Sequence, residues 1–356
     1  MSQSYIAHVL EQFNIFVNAT SYGNGHINDT YIVEGLEYIL QRINTQVFKN
    51  PEELMENTEN VTAFLREKIS AAGGDPDRET LTIVPTIDGK TFYTTEDGKV
   101  FRVCKFIPGT TSIDEARSLN DLVEAGICFG RFQRLLADFP VEKLYETIPN
   151  FHHTPKRILA LKEAIENDIA GRAATVQDEI AFALEQTQWA DAVINGLEDG
   201  SIPVRVTHND TKINNLLFDK ETGKAICVID LDTVMPGSAL YDFGDALRIG
   251  GSTAAEDETD LEKVWFNVDA YKAFTQGFLS EMKDTMTPAE LKLLPLSVKL
   301  MTYECGIRFL TDYLNGDTYF KIHRPNHNLD RAKNQFKLVA DITAKESLLD
   351  EFTANL

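Results

Sequence analysis

Apolar positions along the first hundred residues change their period several times. Between Tyr5 and Phe13, Ile6, Val9, Leu10 and Phe13 recur on one stripe, and the spacing predicts a short amphipathic helix. Alternating, β-branched segments follow at 14–19, 30–33 and 37–43 and read as sheet strands. Asn50-Pro51-Glu52 then gives the order N-cap, N1 and acidic N2. It opens a helix whose Leu54, Val61, Leu65 and Ile69 share a face, and Gly73-Gly74 ends it. Short strands resume at 81–85, 91–95 and 100–107, with Asp88-Gly89 and Asp97-Gly98 as the turns between them. Residues 1–107 are therefore expected to form a β-rich lobe with one long helix.

From about Glu115 the pattern lengthens to helical stretches at 115–139, 156–170, 175–198, 260–283, 288–315 and 329–350, interrupted by a strand-rich insert at 203–232. Residues 108–356 thus read as a larger, mainly helical lobe. Thr287-Pro288-Ala289-Glu290 is a capping box with proline at N1, Gly316 marks the end of that helix, and Pro295 is a place for a kink. There is no internal repeat and no flexible linker, so a short hinge is expected near 105–109, with a cleft between the lobes.

Charge and composition then remove whole classes of function. With 34 basic and 55 acidic side chains among 356 residues the net charge is −21, which repels phosphate backbones and anionic lipid. No run of five basic residues offers a local exception, so neither nucleic acid nor membrane is expected as a partner. No apolar stretch approaches the roughly 18 residues of a spanning helix, and the first residues lack a basic region followed by an apolar one. A cytoplasmic monomer is expected. Cys104, Cys128, Cys227 and Cys305 lie at least 24 residues apart without a Cys-x-x-Cys pair, and read as buried, reduced thiols.

The chemistry concentrates in Thr207-His208-Asn209-Asp210-Thr211-Lys212-Ile213-Asn214-Asn215, an HxDxKxxN pattern with the logic of a kinase catalytic loop. Phosphoryl transfer asks for an acceptor hydroxyl held in line, a carboxylate to receive its proton, and cations on the phosphate oxygens. Asp210 would take the proton, Lys212 would reach the γ-phosphate, and Asn215 would offer its amide oxygen to magnesium; His208 is expected to lock the loop. For the second metal ligand the candidates are Asp230 and the Asp242 of a literal Asp-Phe-Gly. Strand-like 214–218 and 225–231 are joined by a hairpin turn whose centre near 221–222 sets Val228 opposite Asn215. That places Asp230 beside Asn215 and leaves Asp242 to brace the catalytic loop. Asp232 stays open between a second magnesium contact and a strand end. Gly23, Gly25 and Asn28 lie in a glycine-containing hairpin suited to cover ATP phosphates with backbone N–H groups. Gly89-Lys90-Thr91 mimics the end of a Walker A motif, but Val84 stands where its first glycine belongs.

On these residues the chain resembles the aminoglycoside-phosphotransferase branch of the protein-kinase-like superfamily, and within it the sugar 1-kinases. The stretches that carry the resemblance are YGNGHINDTYIV, YILQRIN, FHHTPKR, IPVRVTHNDTKINNLLFD, VIDLDTVMPGSALYDFGDALR and ECGIRFLTDYLNGDTYF. The resemblance implies a bilobal α+β protein-kinase-like fold, with residues 1–107 as the nucleotide-binding lobe and 108–356 as the catalytic and sugar-binding lobe, and transfer of phosphate from ATP, with Mg2+, to the anomeric hydroxyl of N-acetylglucosamine or N-acetylgalactosamine. By matching positions it implies Asp210 as base, Asn215 and Asp230 as magnesium ligands, Lys105–Ile107 as the adenine hinge, and Arg308 and Tyr319 as lining the sugar pocket. It also places Gln41 where kinases carry a phosphate-binding lysine paired to a helix glutamate, so a pair with Glu59 is in doubt. Gln41 as a neutral donor, Arg42 through a local bulge, and an impaired nucleotide site all remain open.

Arg308 has a plainer reading as the middle of a solvated ladder with Glu304 and Asp312 at i−4 and i+4. Glu256-Asp257-Glu258 with Asp260 reads as a solvated helix start. Two other functions stay in view: a kinase for a cationic acceptor such as an aminoglycoside or choline, which an acidic chain would attract, and a nucleotide-binding pseudokinase-like module suggested by Gln41.

Overall fold

A computed structural model of the chain describes residues 2–22, 28–35 and 37–356. Gly23 and Gly25, expected over the ATP phosphates, lie outside the described residues. In chain order the elements are α1 (Gln3–Glu11), β1 (Ala19–Ser21), β2 (Asp29–Val33), β3 (Tyr38–Ile43), α2 (Pro51–Ala71), α3 (Pro76–Glu79), β4 (Ile83–Val84), β5 (Tyr93–Thr94), β6 (Val100–Lys105) and β7 (Thr110–Thr111). There follow α4 (Leu119–Leu135), α5 (Thr154–Asn167), α6 (Gln177–Glu185), α7 (Ala192–Asp199), β8 (Arg205–Thr207), β9 (Leu216–Asp219), β10 (Ala225–Val228), α8 (Ala239–Gly250), α9 (Val268–Met282), α10 (Pro288–Leu314) and α11 (His327–Ala354). The protein is thus α+β, with a β-rich N-terminal region and a helical C-terminal region. Its contacts gather into two compact units: one from residues 1–113, 135–149 and 214–236, the other from 114–134, 150–213 and 237–356.

The first unit is built on an antiparallel sheet of order β1-β2-β3-β6-β4, with β5 also on β6. Alternation sends Leu40, Phe101 and Val103 to one face, where Ile6, Val9 and Leu10 of α1 and Phe13 just beyond it cover them. Ile43 and Val100 join Leu54 and Met55 of α2 in a second cluster. The ladder from β2 through β3 to β6 keeps regular register, with Asp29 opposite Arg42 and Gln41 opposite Arg102. Residues 214–236 add the β9–β10 hairpin, extended by β7 on β9.

In the second unit α5, α6, α10 and α11 share a core around Leu161, Ile180, Tyr303, Ile307, Leu310, Phe336 and Val339. The capping box forms as expected: Thr287 Oγ1 accepts from Glu290 N–H at 3.2 Å while the Glu290 carboxylate accepts from Thr287 N–H at 2.7 Å. Helix α10 runs through Pro295. Helix α8 is buried from Ala239 to Arg248, and a Cβ on its Gly244 would stand 2.4 Å from the Ser297 carbonyl of α10. The glycine of the Asp-Phe-Gly sequence is therefore needed for close helix packing.

Several expectations change. Of the strand expected at 14–19 only its last residue enters β1, because Asn14 turns into the left-handed region at φ 58°. The stretch 175–198 divides into α6 and α7 around a 3₁₀ turn at Thr187–Trp189. The acidic run divides: Asp260 caps a 3₁₀ turn at Leu261–Lys263 by accepting from Glu262 N–H at 3.3 Å, whereas Glu256 pairs with Arg248 at 2.5 Å and Asp257 with His327 at 2.9 Å, both half-buried. Lys90 follows a tight turn closed by Gly89 N–H on Thr86 O, which disposes of the Walker A likeness. The four thiols are free, and burial pushes Cys305 up to about 12. No described helix is long and apolar enough to cross a membrane.

Candidate active site

The catalytic loop leaves β8, whose Arg205 is anchored by a buried two-pronged pair to Glu290 at 2.7 and 2.8 Å. The next residues have no regular ladder to satisfy their backbone, so side chains do it. The Asp242 carboxylate accepts from the N–H groups of His208 at 2.9 Å and Asn209 at 2.8 Å, and from the Gln133 amide. Its own carbonyl accepts from Thr211 Oγ1 at 2.6 Å. Asp245 takes the Thr211 N–H at 3.2 Å and pairs with Arg248 at 3.0 Å. Burial pushes the Asp242 carboxyl up, opposed by His208 and these donors. Burial also acts on Asp245, but Arg248 beside it holds its carboxyl below the usual range. Two aspartates of α8 thus hold the loop, the bracing role expected for Asp242.

His208 is fully buried, with the rings of Phe129 and Phe132 edge-on at 6.1 Å each, and its Nδ1 accepts the Asp210 N–H at 3.2 Å. It is a lock within the loop, as expected. Asn209 sits at φ 67°, a conformation asparagine tolerates better than most residues, and this turn presents Asp210. Asp210 is half-buried, with Lys212 Nζ 3.0 Å from its Oδ1. The pair can present a proton acceptor and a cation side by side.

A second cluster in the same unit joins the start of α5 to α10. Glu304 is buried and accepts from His152 Nδ1 at 2.8 Å and Thr154 Oγ1 at 2.6 Å. The other nitrogen of His152 lies 3.4 Å from the carbonyl oxygen of Asn209, so this cluster touches the catalytic loop. Asp312 is buried too, accepting from the N–H groups of Thr318, Tyr319 and Phe320 at 2.8–2.9 Å and from the Asn328 amide at 2.9 Å. The solvated ladder considered for Arg308 therefore does not form. Its guanidinium lies over the rings of Phe151, Phe320 and Tyr319 at 5.3, 5.5 and 6.0 Å, and makes no ion pair among the described residues. Tyr319 is 63% exposed, on a loop that Asp312 fixes. Arg157 was missed in the sequence although FHHTPKR was noticed. It donates to Phe151 O at 2.8 Å, its Nε is buried without a partner, and burial together with the Arg308 charge pulls its pKa down.

Glu304 gives a pH prediction. Burial raises its carboxyl, but His152, Arg308 and Thr154 outweigh that and hold it below the ordinary glutamate range. A carboxyl lowered by folding stabilises above its unfolded pKa, and that contribution is lost as pH falls through the folded value. Melting temperatures of wild type and Glu304→Gln should differ most near neutral pH and converge below the ordinary glutamate value of about 4.3. A gap independent of pH would remove the charge from the explanation.

In the first unit, Asn215 is buried and its carbonyl accepts from Ile229 N–H at 2.9 Å. The expected pairing of Val228 with Asn215 is off by one: an irregularity between Ala225 and Cys227 sets Val228 opposite Leu216, so Ile229 faces Asn215 and Asp230 comes next. Asp230 is half-buried at φ 60°. Two oxygen ligands of this kind fit magnesium, which keeps waters and phosphate oxygens for its remaining positions. Asp232, left open between metal and strand end, is buried, ion-paired to Arg102 and hydrogen-bonded to Asn28 Nδ2 at 2.5 Å. Arg102 Nε and Nη2 donate to Gln41 Oε1 at 3.0 and 2.8 Å. Burial opposes the Arg102 charge, but Asp232 outweighs it and holds the pKa up. Arg42 pairs with Asp29 at 2.8 Å across an unbulged ladder, which removes the bulge alternative. Glu59 is exposed. In the expected hinge, Lys105 N–H donates to Thr82 O and Phe106 N–H to Glu37 O, and the Ile107 carbonyl accepts from Thr110 Oγ1 at 2.7 Å.

The fold has counterparts among known proteins. Among solved structures the chain is similar to a microcompartment-associated aminopropanol kinase, at 17% identity and TM-score 0.61 over 98% of this chain and 99% of that one. An aminoglycoside phosphotransferase from Alicyclobacillus acidocaldarius matches at 12% identity and TM-score 0.64, over 98% and 96%. A spectinomycin phosphotransferase in complex with ADP and spectinomycin matches at 14% and 0.62, over 98% of each chain. At such identities the likeness establishes the fold. The family model described as a phosphotransferase enzyme family matches residues 18–272, which include the N-terminal sheet, the HxDxKxxN loop and both aspartates of α8, and the chain belongs to that family.

Proposed function

We propose that the protein is an ATP- and magnesium-dependent kinase that phosphorylates the anomeric hydroxyl of an N-acetylhexosamine, N-acetylglucosamine or N-acetylgalactosamine, giving the sugar 1-phosphate. Asp210 receives the hydroxyl proton, and Lys212 offers its ammonium to the transferred phosphoryl group. Asn215 and Asp230 hold magnesium, which neutralises charge on the ATP phosphates when bound. Asn28, Gln41 and the Lys105–Ile107 strand end serve the nucleotide. Arg308 and Tyr319 serve the sugar.

The observation that carries the acceptor class is Arg308 without a carboxylate partner, walled by aromatic rings and accompanied by Arg157. Both acids that would neutralise it are committed elsewhere, Glu304 to His152 and Thr154, and Asp312 to a loop backbone. Such a wall donates hydrogen bonds to hydroxyl and acetamide oxygens, stacks a sugar face, and repels a polycation. The rival reading is an amino-alcohol or aminoglycoside kinase. It is favoured by the names of the similar structures and by the net charge of −21.

The deciding experiment mixes the protein with ATP, magnesium and each of N-acetylglucosamine, N-acetylgalactosamine, glucose, kanamycin, choline and aminopropanol, followed by phosphorus NMR. The expected result is a new sugar 1-phosphate resonance split by an anomeric proton, with the N-acetylhexosamines only. Turnover confined to a cationic acceptor would overturn the acceptor reading while keeping the kinase; nucleotide binding without turnover of any acceptor would favour a pseudokinase-like module.

A further inference from the structure

Kinases ordinarily place a strand-3 lysine on the ATP phosphates and orient it with a glutamate from the neighbouring helix. Here the strand carries Gln41, Glu59 is exposed, and a different buried charge pair occupies the same sheet. Arg102 stands directly across the ladder from Gln41, is 3% exposed, and engages its guanidinium on every side: Nε and Nη2 donate to Gln41, while Nη1 pairs with Asp232 and faces the Met55 sulfur at 4.0 Å. Asp232 lies in the 3₁₀ turn Leu231–Thr233 that directly follows Asp230. Its other oxygen is held by Asn28, whose own Oδ1 accepts the Asn44 N–H at 2.9 Å. Helix α2 reaches the same turn through a neutral side chain, the buried Asn57 donating to Val234 O at 3.0 Å.

We propose that Arg102, acting through Asp232, is the positioning residue for the magnesium loop, supplying at second hand the charge that a strand-3 lysine supplies directly in other kinases. A guanidinium this buried and this fully bonded is not placed to touch phosphate itself. What it fixes is the carboxylate two residues beyond Asp230, and with it the left-handed backbone at Asp230. An uncompensated Asp232 would be costly at 3% exposure, so the pair stands or falls together. The inference rests on the kinase reading for its magnesium but not on the identity of the acceptor.

The test therefore uses nucleotide and metal without any acceptor. ADP binding to the full chain is measured by calorimetry with magnesium and with EDTA, for wild type and for the charge-free double variant Arg102→Gln with Asp232→Asn, with melting curves to confirm folding. The expected result is metal-free ADP affinity within about twofold of wild type and a magnesium enhancement reduced at least tenfold. An unchanged enhancement in the folded variant overturns the proposal, as does an equal loss with and without metal, which would mark a general nucleotide-site role. If the double variant fails to fold, Arg102→Lys decides. It keeps a cation beside Asp232 but cannot fork, so the enhancement should fall three- to tenfold with metal-free affinity kept; no change, or an equal loss of both, overturns the proposal.

Discussion

Asp210→Asn should lower kcat by about 10²–10⁴ while leaving ADP affinity within about twofold, because general-base assistance is typically worth that much in rate. The loop should survive the change. Its backbone is held by Asp242, Asp245 and the His208 ring, so the Asp210 side chain is left to present itself next to Lys212. Asparagine keeps the shape and removes the proton acceptor. The loss should therefore appear in kcat and in kcat/KM alike, as expected for an interaction made mainly in the transition state. The check is steady-state turnover with whichever acceptor the NMR panel identifies, together with calorimetric ADP binding. Turnover like wild type would take Asp210 out of the base role, and a parallel loss of ADP binding would make its role structural.

Much of this architecture is legible in the sequence where physics is local. The capping box at Thr287, the proline-opened α2 and the Asp-Gly turns each depend on neighbours within a few residues, and each forms. Helix α8 shows a polar stripe of Asp242, Asp245 and Arg248 at three-residue spacing, yet all of it is buried from Ala239 to Arg248, so the pattern does not reveal that these charges face the loop and not solvent. The β9–β10 register slips by one because a bulge leaves no compositional mark. The HxDxKxxN loop is visible as a motif, yet what holds it is not: Asp242 lies 33 residues from Asn209 in sequence. Arg102 is harder still. In Val100-Phe101-Arg102-Val103-Cys104 it reads as one polar residue in a core strand, and its partner Asp232 is 130 positions away. Arg157 and Glu304, whose surroundings explain why Arg308 is left without an acid, come from two different helices. Local chemistry names the reacting groups, whereas the polar side chains that position them are chosen by the fold.

The largest expected loss of stability in the catalytic region comes from Asp242→Asn. Asp242 is a buried carboxylate whose two oxygens face three donors, the His208 and Asn209 N–H groups and the Gln133 amide. A carboxylate can accept all three, whereas an asparagine of the same shape accepts at its oxygen and turns an NH2 towards at least one backbone N–H. That leaves a buried donor unsatisfied and removes charge assistance from the others, at a cost of about 3 kcal/mol. For a unit of this size such a loss lowers the melting temperature by roughly 6–12 °C. Burial pushes the Asp242 carboxyl up against the pull of His208 and these donors. A carboxyl whose folded pKa lies above its unfolded value makes the wild-type protein gain stability relative to the unfolded chain as pH falls through the folded value, a gain that asparagine cannot make. The mutant's penalty should accordingly be smallest near neutral pH and widen on acidification. Calorimetric melting across pH, with ADP binding measured alongside, checks this. A melting temperature within 2 °C of wild type would show that the loop is held by other means, and retained turnover in a destabilised variant would separate the brace from catalysis.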